Sequence, residues 1–118
     1  MREILFRGFR VDGNGWVYGD LITKPVHHDC VILENGVINY SVIPESVGQY
    51  TGKNDKNSLK IFEGDIVKRR FLTGVVVWYE NAWRIKANDK HYSIMDSVNY
   101  ITEKVIGNIH DNPELLNN

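Results

Sequence analysis

Five consecutive residues near the middle of the chain carry groups that could hold a ligand. They offer an amide, a phenol, a hydroxyl and two flexible backbone positions, from Gly48, Gln49, Tyr50, Thr51 and Gly52. Loops that carry such groups are often binding sites. The structural alternative is that the glycines permit unusual backbone angles and Tyr50 anchors the segment in the core. We expect the structural alternative, and keep residues 48–52 as the candidate ligand loop.

The polar stretch that follows does not match two common ligand motifs. It lacks the Gly-Lys-Ser/Thr ending of a phosphate-binding loop. Counted as a calcium loop from Asp55, Lys60 stands where the invariant glycine belongs and Ile66 where a glutamate should close the loop. The sequence therefore indicates neither a nucleotide site nor a calcium site.

A second group of residues could bind nucleic acid. Lys68, Arg69 and Arg70 form the one dense basic run, and Arg84, Lys86 and several aromatic residues follow closely: Phe71, Trp78, Tyr79 and Trp83. Single-stranded nucleic acid uses cations for its phosphates and ring faces for its bases. In a strand, however, alternate side chains face opposite ways, which thins a run of three. A core role for the rings and a solvated face for the cations is the alternative interpretation.

Metal and catalytic signals are weak. His27, His28, Asp29 and Cys30 are adjacent, so an extended chain would turn them to opposite faces, and His91 and His110 are distant. Glu63 and Asp65 flank Gly64, but acidic residues beside a glycine at a strand start usually shape a turn. The nucleophile motif G-x-S-x-G is missing. We expect no metal, no cofactor and no enzymatic activity.

Turn signals and alternation predict a mostly β fold, a small barrel or sandwich of short antiparallel strands. The turns are predicted at Asp12–Gly15, Asn35-Gly36, Leu72–Gly74, Glu80-Asn81 and 88–90. Strands are predicted at 3–11, 16–23, 29–33, 36–43, 66–71, 74–79, 82–87, 91–95 and 104–110. Residues 96–103 fit either a helical turn or a loop, and Pro113 opens a short C-terminal helical turn.

The same pattern predicts a single domain over residues 1–118. Its strand-rich halves, roughly 1–44 and 59–110, would be joined by a polar loop at 45–58, with an SH3-like C-terminal part. The segment GVVVWY is apolar on both faces, so we expect a central strand covered on both sides. The segments GVVVWY and KVIGNIH carry few charges that discourage edge pairing, which predicts a homo-oligomer.

Composition sets wider limits. The chain has 118 residues, 42% of them hydrophobic, and a formal net charge of -1, which argues against strong phosphate binding. The lone Cys30 suits a reducing cytoplasm. No apolar run approaches the roughly 18 residues of a membrane helix, so we expect a protein without membrane contact.

Three stretches together resemble the YopX family, small proteins carried by phages and by prophages in bacterial genomes. They are LFRGFRVDGNGWVYGDLI (5–22), VIPESVGQYTGKNDKNSLKIFEGDIV (42–67) and VIGNIHDNPELL (105–116). The chain departs from the family at Ser58, where a glycine is usual. The resemblance implies a mostly β fold and a bacterial, phage-associated origin, with no established reaction and no functional residue to carry over.

From these observations we expect a non-enzymatic protein, in the cytoplasm of a bacterial host, that binds a protein partner and itself. The alternative is a nucleic-acid-binding module that uses Lys68, Arg69, Arg70, Arg84 and Lys86.

Overall fold

A computed structural model describes residues 3–24, 29–94 and 103–116, and strands dominate it. The described helical segments are two single 3₁₀ turns, at Pro44–Ser46 and Pro113–Leu116. The predictions of a mostly β fold and of a short C-terminal helical turn are therefore confirmed. Among the described residues no helix has the length and apolar character needed to cross a membrane. The chain forms two compact units, Met1–Tyr50 and Thr51–Asn118.

The first unit is built on an antiparallel sheet. Its strands are β1 Phe6–Phe9, β2 Trp16–Lys24, β3 Asp29–Glu34, β4 Ile38–Val42 and the first residues of β5, Gly48–Asn54. Their order in the sheet is β4-β3-β2-β1-β5. Val17, Ile32 and Val42 form the centre of its core. From β1 to β4, each strand pairs with the strand that follows it in the sequence.

The Asn35-Gly36 turn has the predicted type I′ geometry. Both residues adopt left-handed backbone angles, with φ of 53° and 70°, and the Val37 N–H donates to the Glu34 carbonyl at 3.0 Å. Beside this hairpin, β2 and β3 approach closely at Gly19, where a Cβ atom would lie 2.2 Å from the Leu33 carbonyl oxygen. Only glycine fits at that crossing.

The prediction of a polar loop over residues 45–58 is wrong for Gly48–Asn54, which form β5. Glycine, lysine and asparagine have low strand propensity, so composition hides this strand. The backbone of β5 is instead stabilised by pairing with neighbouring strands. Gly48 and Gln49 pair with β1, and the later residues neighbour the short strand β6, Lys60–Phe62. Tertiary pairing therefore overrides the local propensity.

The second unit contains a five-stranded antiparallel sheet. Its strands are β7 Asp65–Arg69, β8 Leu72–Tyr79, β9 Ala82–Ala87, β10 Lys90–Ser93 and β11 Lys104–Asn108, in the order β10-β9-β8-β7-β11. The end strands β10 and β11 do not pair within the described residues, so no closed barrel forms there. The core cluster is Ile61, Val67, Val76, Ile85 and Ile94.

Strand β8 is central, as predicted, but it is not covered along its whole length. Val76 is fully buried and packs in the core, whereas Trp78 and Tyr79 at its end are exposed. The apolar pattern of GVVVWY therefore reports a strand that is buried at Val76 and exposed on both faces at its end.

Asp55 organises the turn between β5 and β6. Its Oδ1 accepts the N–H groups of Asn57 and Leu59 at 2.8 and 2.9 Å, and its Oδ2 accepts the Val105 N–H at 2.9 Å. The side chain is only 2% exposed. One carboxylate thus shapes the turn and fastens it to β11.

Within this turn Ser58 adopts a left-handed backbone angle, with φ of 65°. That conformation costs a residue with a Cβ about 1–2 kcal/mol. Glycine avoids the cost but loses more entropy on folding. We expect Ser58→Gly to raise the free energy of unfolding by about 0.5 kcal/mol. Urea unfolding of the two proteins measures it, and a loss of stability would contradict the strain argument.

The two apolar segments behind the oligomer prediction are not free edges. Strand β8 lies between β7 and β9. On β11, the N–H groups of Val105 and Asn108 donate to the side chains of Asp55 and Asn112. A second chain would have to displace these acceptors, and self-association stays a prediction.

Candidate binding face

Alternation divides the second sheet into a core side and an opposite side, which we call the outer face. Val67, Val76 and Ile85 point into the core. The neighbouring strand positions therefore point the other way. Strand register places these residues on the outer face: Ile66, Lys68, Thr73, Val75, Val77, Tyr79, Ala82, Arg84, Lys86, His91, Ser93 and Lys104.

The outer face carries basic residues from three strands. Lys68, Arg84 and Lys86 were predicted as nucleic-acid contacts, and the structure places all three on it. Lys104 joins them, since it pairs directly with Lys68 across β11 and β7. The three lysines are exposed and Arg84 is half-buried. Neither aspartate nor glutamate occupies any of the described strand positions that form this face.

The register also creates a like-charge pair. Residues directly opposite in an antiparallel sheet hold their Cβ atoms roughly 5 Å apart, and like charges there destabilise the sheet. Lys68 and Lys104 occupy such positions. The fold gains nothing electrostatic from this pair.

Arg69 and Arg70 do not belong to the outer face, which corrects the predicted set of contacts. Arg69 points to the core side, where it forms an ion pair with Glu103 and donates to the Ser93 carbonyl. Arg70 lies in the turn after β7, with its guanidinium 5.3 Å from the Phe71 ring centroid. Alternation and a buried carboxylate therefore separate the three members of the basic run.

One of the four aromatic candidates lies on the outer face. The Tyr79 ring stacks on the His91 ring, with centroids 3.6 Å apart and planes inclined by 2°. Trp78 and Trp83 meet edge to face on the core side, with their ring centroids 4.9 Å apart. Phe71 projects from the turn before β8 and is 92% exposed.

A depression of about 320 Å³ opens at one end of the outer face. Thr73, Val75 and Lys86 come from the sheet, and the turn at Asn88 and Asp89 forms one wall. The lining is completed by Ala87 at the end of β9 and by Leu116 of the C-terminal helical turn. Its apolar walls and polar rim could accept a flat, partly polar group.

The candidate ligand loop is not a single surface. Its five residues lie in β5, where adjacent side chains point to opposite sides. Gly48, Tyr50 and Thr51 are buried, and the Thr51 hydroxyl accepts the Lys53 N–H at 3.1 Å. Gln49 is half-buried and Gly52 is exposed, with φ of 85°. This arrangement fits the structural role that we expect for these residues, and ligand binding at 48–52 stays a hypothesis.

Of the acidic candidates Glu63 and Asp65, the structure gives Asp65 a role in the fold. Asp65 is buried and its Oδ2 accepts the Phe62 N–H at 2.8 Å, which closes the turn around Gly64. Within residues 3–24, 29–94 and 103–116 no three metal-binding side chains come together. Cys30 and Asp29 lie in β3, and His27 and His28 fall outside the described residues.

Comparisons with known proteins match almost the whole chain. A family model described as YopX protein matches residues 5–117. The crystal structure of protein EF1440 from Enterococcus faecalis has a similar fold, with a TM-score of 0.64 and 21% identity. That similarity covers 98% of this chain and 99% of the other. No functionally curated protein matches the chain.

Proposed function

The chain belongs to the YopX family, and on that premise we propose that it is a non-enzymatic protein that binds another macromolecule through its outer face. The observation that carries the proposal is the set of cations on three strands, with no acidic residue among the described strand positions of that face. Such a surface attracts a partner with repeated negative charge. The resemblance to phage-borne proteins supports a location in the cytoplasm of a bacterial host.

The roles of the buried carboxylates support a non-enzymatic protein. Asp55 and Asp65 accept backbone N–H groups, and Glu103 pairs with Arg69. Groups that satisfy turns and buried charges are committed to the fold, whereas a catalytic acid or base must face a substrate. These structural roles support binding rather than catalysis as the function of the second unit.

A second candidate function is assembly with a protein partner through apolar side chains. Phe71 is 92% exposed at a turn and Trp78 is 52% exposed at the end of β8. Exposed aromatic residues are enriched where proteins meet. The SH3-like character that the sequence predicts for this part, and self-association, would both fit such a role.

A photoreactive side chain on the outer face tests the proposed function without assuming the partner. Ser93 is exposed on that face, and Leu59 is exposed elsewhere in the second unit. We expect p-benzoylphenylalanine at Ser93 to give an adduct in phage-infected bacterial cells, and the same group at Leu59 to give none.

The matched control is the Ser93 probe in a chain that also carries Lys68→Gln, Lys86→Gln and Lys104→Gln, which should lose the adduct. Equal adducts from Ser93 and Leu59, or an adduct that survives the three substitutions, would contradict the proposal. Digestion of the adduct with nuclease or protease identifies the class of partner.

A further inference from the structure

We infer that the outer face binds single-stranded nucleic acid, with phosphates on its cations and a base against the Tyr79–His91 pair. The inference rests on the proposed function and names the chemistry of the partner. DNA and RNA share the phosphates and ring faces that this surface would recognise.

The charge pattern suits a linear polyanion. Alternation along β9 puts Arg84 and Lys86 roughly 7 Å apart on one face, and Lys68 and Lys104 extend the row across β7 and β11. Direct opposition of Lys68 and Lys104 raises the energy of the free protein. Phosphates placed between them would remove that repulsion, so binding relieves a cost that the fold otherwise carries.

The ring geometry suits unpaired bases. Tyr79 is 40% exposed while one face of its ring stacks on His91. The stacked pair forms a platform on which a base can continue the stack, because every base has a ring face to offer. In a duplex those ring faces are already occupied by neighbouring bases, so the platform discriminates in favour of a single strand.

The depression beside Lys86 adds a second place for a base. Val75 and Leu116 provide apolar contact, and Thr73, Asn88 and Asp89 provide polar groups near its rim. With a volume of about 320 Å³ it is large enough for one flat ring system. An acidic segment without aromatic side chains would use the cations of the outer face and leave both the platform and the depression unused.

Fluorescence anisotropy with the full chain and labelled 20-nucleotide dT and U strands tests the inference, at 50 and 200 mM NaCl. The variant Lys68→Gln, Lys86→Gln, Lys104→Gln should flatten the slope of log K against log salt by about 2. Each phosphate contact on a single strand releases about 0.7 counterion, and the variant loses three such contacts. The control Lys56→Gln, Lys60→Gln, Lys90→Gln makes the same charge change on exposed lysines that do not belong to the outer face. It should keep the slope within about half a unit.

Tyr79→Leu separates stacking from charge. We expect about tenfold weaker binding of the single strands with an unchanged salt slope, because the loss is one stacked base. A duplex of the same length should bind at least about tenfold more weakly than the single strand. Polyglutamate serves as the acidic-protein probe and should compete poorly.

Three results would overturn the inference. They are no binding of either strand at 50 mM salt, equal salt slopes for the two triple variants, or full competition by polyglutamate with no effect of Tyr79→Leu. The last would assign the outer face to an acidic protein. An adduct at Ser93 without oligonucleotide binding would leave the proposed function standing and remove only the nucleic acid.

Lys104→Gln provides a readout that a structural lysine would not give. Because it relieves the repulsion with Lys68, the thermal midpoint should equal or exceed that of the unaltered chain while oligonucleotide binding weakens. A lower midpoint would show that Lys104 serves the fold, and would remove the like-charge pair as evidence for a polyanion.

Discussion

Replacement of Arg69 by Met is expected to lower the free energy of unfolding by about 3–5 kcal/mol. Glu103, its ion-pair partner, has 0% exposed surface, whereas the Arg69 side chain is 23% exposed. Loss of the guanidinium removes a countercharge from a carboxylate in the interior. Removal of one member of a buried pair costs far more than the pair itself contributes. Urea unfolding followed by tryptophan fluorescence measures the change, since Trp83 packs against this core.

The double variant Arg69→Met, Glu103→Leu is the control. When both charges are replaced by apolar groups of similar volume, neither charge of the pair remains in the interior, and stability often returns or improves. We expect the double variant to recover most of the loss. If the double variant is as unstable as Arg69→Met, the broken ion pair does not cause the loss of stability. The loss would then come from the packing of the long Arg69 side chain.

Asp55→Ala is expected to lower the free energy of unfolding by about 3 kcal/mol or more. Three backbone N–H groups, from Asn57, Leu59 and Val105, lose their acceptor. Each buried donor without a partner costs about 1–3 kcal/mol. Asp55→Asn keeps one oxygen for Asn57 and Leu59 but cannot accept from Val105, so its loss should be smaller. Equilibrium urea unfolding of the unaltered chain, Asp55→Asn and Asp55→Ala measures whether stability falls in that order.

Asp12 offers a comparison in the first unit. Its carboxylate also accepts a backbone N–H, from Asn14 at 2.9 Å, and this bond lowers the pKa of the Asp12 carboxyl. The side chain is exposed, however, so water can replace the carboxylate as acceptor. Asp12→Ala should therefore be much milder than Asp55→Ala. Similar losses for the two variants would mean that burial does not set the cost at Asp55.

Local signals were enough to predict most of the fold. The turns at Asn35-Gly36, Glu80-Asn81 and 88–90 follow from asparagine, aspartate and glycine, which tolerate left-handed backbone angles, and all three occur. The turn predicted at Leu72–Gly74 is wrong, because these residues begin β8. Strand β5 was missed because its residues have poor strand propensity and its partners lie elsewhere in the chain. A strand that depends on its neighbours leaves little trace in its own composition.

The candidate site was predictable only in part. Arg84 and Lys86 are two residues apart in one strand, so alternation alone puts them on one face. Lys104 could not be added, because its position opposite Lys68 depends on a register between distant strands. Alternation predicts that Arg69 leaves the face of Lys68, but its partner Glu103 lies 34 residues away in the sequence and could not be identified. Long-range pairing decides the position of Lys104 and the partner of Arg69.

The position of β11 has a consequence for the order of folding. Strands β7 to β10 follow one another as neighbours, so each pairing closes a short loop. Strand β11 pairs with β7 only after the chain has passed through the other three strands, and contacts of such high sequence separation form slowly. We therefore expect the hairpins to form first and β11 to dock last. Asp55 holds β11 and Glu103 directly precedes it, so we expect the loss of either contact to be felt in the docking of β11 rather than in the formation of the hairpins.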